Sequence, residues 1–190
     1  FIIDFIKSCK VKDKKILDIG CGVGKNSLLL QEEGHDVYGI DKSEVAINNL
    51  LSEIKNKQNF LVEDIIDIRQ IKGLFDIVLD IGCFHMVQEE DRKKYLENVK
   101  DLIKNKGLFL LRCFSEYGQE SIRFFADEYK RGIKSPFINF TTKEEIKNLF
   151  QKYFEIKEIK EKFWTLPNNR SKYEFVPGIY EVIMEKKENV

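Results

Sequence analysis

Short apolar runs alternate with amphipathic stretches along most of the chain. Residues 14–20 (KKILDIG), 36–41 (DVYGID), 59–65 (NFLVEDI), 75–82 (FDIVLDIG) and 108–114 (LFLLRCF) each predict a buried strand. The fourth is the most continuously apolar and is expected at the centre of a sheet. Between them, LLLQEEG (28–34) predicts the end of a helix closed by Gly34. Ser43 predicts an N-cap for EVAINNLLSEIK. Residues 89–107 predict one long amphipathic helix ended by Gly107, with Tyr95, Val99, Leu102 and Ile103 on its apolar face.

Five strands with mostly helical crossovers define a parallel sheet covered on both faces. After residue 115 the pattern changes. Residues 115–140 mix aromatics and charges and are expected to form a substrate-side insertion. Thr141 or Thr142 then caps a helix over KEEIKNLFQKYF. FEIKEIKEKFW (154–164) and GIYEVIMEKK (178–187) predict a closing antiparallel pair, and the charged run 185–188 predicts a solvated strand end. The expected fold is therefore Rossmann-like, doubly wound α/β, with a seven-stranded, mostly parallel sheet and a C-terminal antiparallel hairpin. One domain over 1–190 accounts for the length.

Composition narrows the function classes. The formal net charge is zero, and lysine far outnumbers arginine, which argues against a nucleic-acid partner. No apolar run reaches the roughly 18–20 residues of a membrane span, and the start does not read as a signal peptide. Cys9, Cys21, Cys83 and Cys113 form no C-x-x-C pair, so free thiols in a reducing cytoplasm are expected.

The chemistry concentrates in LDIGCGVGKNS (17–27). Gly20, Gly22 and Gly24 stand at alternate positions between a strand and a helix, with Asp18 two residues ahead. Glycines there let a ligand approach the backbone, and the helix start favours an anionic group. A dinucleotide fingerprint would place a later glycine at position 25, which is Lys25.

Asp18-Ile19-Gly20-Cys21-Gly22-Val23-Gly24 resembles the first motif of class I S-adenosylmethionine-dependent methyltransferases, and the resemblance extends over residues 10–187. It implies S-adenosylmethionine as cofactor, S-adenosylhomocysteine as product, and no metal. It also implies cofactor contacts at Asp18, Gly20, Cys21, Gly22, Gly24 and Asn26. Asp41, with Lys42 beside it, would take the ribose hydroxyls, since one carboxylate can accept both protons. Asp64 and Ile65 would meet adenine, and Asp80 and Ile81 the methionine part. Helix capping is the competing role for Asp41, and a turn role for Asp64. Cys21 is expected to be small, inert filler.

The segment 80–116 resembles a small bacterial-type group related to thiopurine and tellurite-resistance methyltransferases. That implies a small-molecule acceptor, such as a thiol or another soft nucleophile. The fourth strand lacks the Asn/Asp-Pro-Pro-Tyr of exocyclic-amine enzymes, and Cys83 lacks the Pro-Cys of cytosine enzymes. His85 is the acid/base candidate, with packing beside the cofactor as its alternative. Phe84, Arg112 and Tyr117 are candidate acceptor contacts, Arg112 alternatively pairing with a carboxylate. Glu116, residues 121–130, and an N-terminal helix with Phe1, Ile2 and Phe5 are candidate lids. His35 is expected at the surface. A monomer or weak homodimer is expected. Two rival readings stay open, a nucleotide-dependent oxidoreductase and a non-catalytic S-adenosylmethionine-binding module; a macromolecular acceptor is also open, with nothing basic or Pro-Pro-Tyr-like to support it.

Overall fold

The structure, a computed structural model, describes residues 2, 5, 6, 12–117, 139–163, 178–188 and 190. Seven strands form one sheet in the order β3-β2-β1-β4-β5-β7-β6. They are β1 (Lys15–Ile19), β2 (Asp36–Asp41), β3 (Phe60–Val62), β4 (Phe75–Ile81), β5 (Ile103–Phe114), β6 (Phe154–Phe163) and β7 (Gly178–Lys186). β1 to β5 run parallel, and β7 runs antiparallel to both β5 and β6. β4 is the middle strand, as its apolar run predicts.

Side chains alternate between two cores. On one face Leu17, Val78, Phe109 and Leu111 pack with α3 (Arg92–Leu102) and α4 (Lys143–Phe150). On the other, Ile16, Ile77, Leu79 and Leu110 pack with α1 (Lys25–Glu32), α2 (Glu44–Leu51), Ile2 and Ile6. Ile2 and Ile6 thus belong to a core, while Phe1 and residues 118–138 of the expected insertion lie outside the described residues. Ser43 caps α2 by accepting from the Ala46 N–H. Thr142, rather than Thr141, caps α4 in a reciprocal box with Glu145.

Three expectations need correction. The helix predicted over 89–107 stops at Leu102, and Ile103 already pairs beside Phe75. The cause is distant in sequence: the Lys186 ammonium donates to the carbonyls of Lys100 and Ile103, 2.8 Å each, and so satisfies the helix end. For the same reason Lys186 is buried rather than solvated. His35 is also buried, its Nδ1 accepting from the Lys14 N–H, and burial lowers its pKa.

The turn entering α1 depends on Gly24. Its φ is +77°, and a Cβ there would lie 2.1 Å from Leu50 Cδ1. Gly24→Ala should cost about 2–4 kcal/mol, combining left-handed strain with overpacking against α2. Urea unfolding measures it; a loss below about 0.5 kcal/mol would show that Leu50 moves aside freely.

Candidate active site

The chain leaves β1 towards β2 and β3 on one side, then returns to β4 on the other. That reversal opens a crevice at the carboxyl ends of the strands, where open α/β sheets bind ligands. A cleft of about 290 Å³ occupies it. Ile19 and Gly20 line it from β1, Ile40, Asp41 and Lys42 from β2, Glu63 to Ile66 from β3, and Gly82, Cys83, Met86 to Gln88 and Asp91 from β4.

The glycine turn is pinned to β2. The N–H groups of Gly20 and Cys21 both donate to the Ile40 carbonyl, at 2.8 and 3.1 Å. Asp41 then reaches back, its Oδ2 accepting from the Gly22 N–H at 2.9 Å and its Oδ1 from the Ser43 N–H at 2.8 Å. Each oxygen retains a further lone pair. Around Gly22 nothing lies within 4 Å of where a Cβ would stand. Asp64 Oδ1 accepts from the Ile66 N–H in a tight turn, and among the described residues the Ile65 N–H has no acceptor. A carboxylate with spare lone pairs, an unused N–H and an open glycine backbone fit an adenosine bearing an amino-acid arm.

Asp18 and Asp80 stand behind this wall, fully buried. Asp18 accepts from Ser27 Oγ at 2.6 Å. Asp80 accepts from the N–H groups of Cys83 and Phe84, at 2.8 and 3.0 Å, and from Tyr95 Oη at 2.6 Å. Burial pushes Asp18 up to about 7, the Ser27 bond opposing it and the Asp80 and Asp41 charges adding to it. Burial likewise pushes Asp80 up to about 6, against the Tyr95 and backbone hydrogen bonds. Burial pushes the Cys21 thiol well above its ordinary range, which removes thiolate reactivity. Asn26 is half-buried on the first turn of α1, and Ile81 is partly buried at the end of β4.

The acceptor-side candidates separate. The turn capped by Asp80 sends Phe84 into the core, against Tyr95, Phe150 and the Arg92 guanidinium. His85 sits one residue on, its ring 4.4 Å from that of Phe114 and its carbonyl accepting from the Asn139 N–H. Burial pulls His85 down to about 4, and its buried Nδ1 has no partner among the described residues. Arg112 pairs with Glu181, which also holds Lys162 at 2.7 Å, so the carboxylate pairing expected as its alternative is formed. Tyr117 is 61% exposed, and Glu116 accepts from Tyr180 Oη. The candidate lid at 121–130 lies outside the described residues.

Sequence reasoning missed Cys83, Met86, Val87, Gln88 and Asp91 as lining of the β4-side wall, and also Glu63. A signal for the wall existed: Asp80 followed by Ile-Gly-Cys-Phe, with a glycine two residues on, is the pattern of a side chain capping a tight turn. Among the described residues no three His, Cys, Asp or Glu side chains converge on a metal-sized site. No described helix is long and apolar enough to cross a membrane.

Comparison with known proteins gives the family. Residues 16–107 match the family described as a methyltransferase domain. An uncharacterised methyltransferase of Schizosaccharomyces pombe is 34% identical over 113 residues, covering 58% of this chain and 78% of that protein. A probable S-adenosyl-L-methionine-dependent methyltransferase, TehB of Haemophilus influenzae, is 32% identical over 90 residues, covering 46% of this chain and 31% of that protein. The crystal structure of TehB superposes with a TM-score of 0.72 at 23% identity, covering 98% of this chain and 61% of that one. The Burkholderia thailandensis 1,6-didemethyltoxoflavin-N1-methyltransferase, solved with S-adenosylhomocysteine and 1,6-didemethyltoxoflavin, gives 0.68 at 18% identity over 97% and 76% of the two chains. The chain belongs to the S-adenosylmethionine-dependent methyltransferase family.

Proposed function

We propose that the cleft binds S-adenosylmethionine and that the chain methylates a small-molecule acceptor with a soft nucleophile, such as a thiol. The observation that carries this reading is the Asp41 carboxylate. It lines the cleft with each oxygen committed to one backbone N–H, and the remaining lone pairs match the two hydroxyls of a ribose. In this reading Asp64 and the Ile65 N–H take the adenine edge. Gly20, Gly22, Asn26 and Lys42 take the ribose and amino-acid arm. Asp18, Cys21, Gly24, Asp80 and Ile81 act one layer back, holding the turns in place.

Bound S-adenosylmethionine supplies a methyl group on a positively charged sulfur, open to displacement by a nucleophile in line. The chain's own task is then to align the acceptor and exclude water. His85, pulled down to about 4, is an uncharged imidazole at neutral pH. Such a ring orients an acceptor through a hydrogen bond but holds an abstracted proton weakly. That suits an acceptor already nucleophilic without a strong base, which favours a thiol over an alcohol. Residues 115–140 would complete the acceptor side of a single domain, working in the cytoplasm as a monomer or weak homodimer.

Calorimetric titration with S-adenosylmethionine, S-adenosylhomocysteine and NADH tests the cofactor. Saturable heat from the first two alone supports the reading; heat from NADH alone replaces it with the oxidoreductase. Radiolabelled methyl transfer to a panel of small thiols, selenols and amines then tests the acceptor. Binding without turnover on any of them would favour a binding module. His85→Ala should slow turnover about tenfold or more with cofactor affinity unchanged; full turnover would confine His85 to packing on Phe114.

A further inference from the structure

We infer that Glu63 and Asn98 are positioning residues that set the adenine selectivity of the cleft, an inference that rests on the cofactor reading above. The segment after β3 has little regular structure of its own to hold it: β3 is three residues long, and 64–74 contains no helix or strand. Yet Asp64, Ile65 and Ile66 line the cleft and need a fixed backbone. Two side chains provide it from opposite directions.

Glu63 is buried, and its carboxylate gathers three consecutive backbone donors. Oε1 accepts from the N–H groups of Arg69 and Gln70, and Oε2 from that of Ile71 at 2.9 Å. Three N–H groups converging on one carboxylate form an anion-binding turn, which folds 66–71 back onto the end of β3. Asn98, on α3, donates its Nδ2 to the Ile65 carbonyl at 2.6 Å. That bond fixes the peptide after Ile65, while the Asp64 turn fixes the Ile66 N–H. The two groups that would read adenine, the Asp64 carboxylate and the Ile65 N–H, are thereby held side by side. Neither Glu63 nor Asn98 need touch the ligand to do this.

The readout is discrimination, which a purely structural role would leave alone. S-adenosylhomocysteine presents an amino group and an accepting ring nitrogen; S-inosylhomocysteine presents a carbonyl and a ring N–H in their place. A carboxylate beside an N–H accepts the first pattern and opposes the second. The wild-type chain should therefore prefer the adenosyl compound by about tenfold or more in calorimetry. Asn98→Asp keeps the side-chain shape but removes the donor, and Asn98→Ala removes the contact altogether. Both should lower S-adenosylhomocysteine affinity about five- to tenfold and shrink the preference to about threefold or less. Glu63→Gln should do the same and speed amide exchange at 69–71. If Glu63→Gln fails to fold, the half-buried Asn98 variants decide the matter. Folded Asn98 variants that keep the full preference would overturn the inference. Absence of S-adenosylhomocysteine binding by the wild-type chain would instead overturn the cofactor reading beneath it.

Discussion

Asp41→Ala is expected to weaken S-adenosylhomocysteine binding by about a hundredfold. The carboxylate makes two backbone hydrogen bonds, to the Gly22 and Ser43 N–H groups, and keeps two further lone pairs toward the cleft. Hydrogen bonds to a charged group contribute about 1.5–3 kcal/mol each when partly shielded from water. Loss of two ligand hydroxyl contacts alone would cost about 3 kcal/mol, which is roughly two orders of magnitude in Kd. Release of the Gly22 N–H adds to this, because the open glycine turn loses its tie to β2. Asp41→Asn keeps one accepting oxygen and should fall between, at about a tenfold loss. Both variants should fold, since Asp41 is only partly buried and solvent can satisfy the freed N–H groups. Calorimetry on variants with native-like thermal transitions provides the measurement. A folded Asp41→Ala protein that binds within threefold of wild type would remove Asp41 from the ribose site.

The parts of this site that were legible in the sequence are those set by neighbouring residues. A glycine turn after a buried strand and acids just past strand ends need only local pattern, so Gly20, Asp41, Asp64 and Ile65 are found where the sequence puts them, on the cleft. The parallel order follows from the crossover lengths, and the closing antiparallel pair from the Pro- and Asn-containing stretch, with no helical pattern, that separates its two strands in the sequence. What the sequence concealed depends on contacts between distant residues. Lys186 ends α3 from 84 residues beyond Leu102, so periodicity alone carries the helix on to Gly107. Phe84 follows the apolar run of β4 and looks placed for an acceptor, but the two N–H bonds to Asp80 turn it into the core. Glu63 and Asn98 give no signal at all, because each works through backbone groups whose partners only the fold reveals.

The second large effect concerns pH, and it arises from the two acids behind the glycine turn. Burial lifts Asp18 to about 7 and Asp80 to about 6, whereas in the unfolded chain both titrate near 3.8. At these two positions the folded protein therefore binds more protons than the unfolded chain between about pH 4 and 7. The stability these groups contribute is complete below about pH 4 and is lost as pH rises through 6 and 7. His85 works in the opposite sense. Its imidazole titrates near 4 when folded and 6.5 when unfolded, so the unfolded chain binds the extra proton in that window and His85 favours stability at higher pH. His35, whose pKa burial also lowers, acts in the same sense as His85; above about pH 6.5 both imidazoles are neutral in either state, and of these groups Asp18 alone still titrates. Asp18→Asn should isolate its share. The amide oxygen can still accept from Ser27 Oγ, and no charge is buried at high pH. Relative to wild type, the variant should gain about 2 kcal/mol at pH 8, or roughly 5 °C in Tm, and gain nothing at pH 4. Urea unfolding at pH 4, 6 and 8, without cofactor, gives the difference directly. A variant that is destabilised equally at all three values would mean that Asp18 stays ionised in the folded protein. The Ser27 hydroxyl would then be holding a buried carboxylate charge rather than a shared proton, directly behind the proposed cofactor turn.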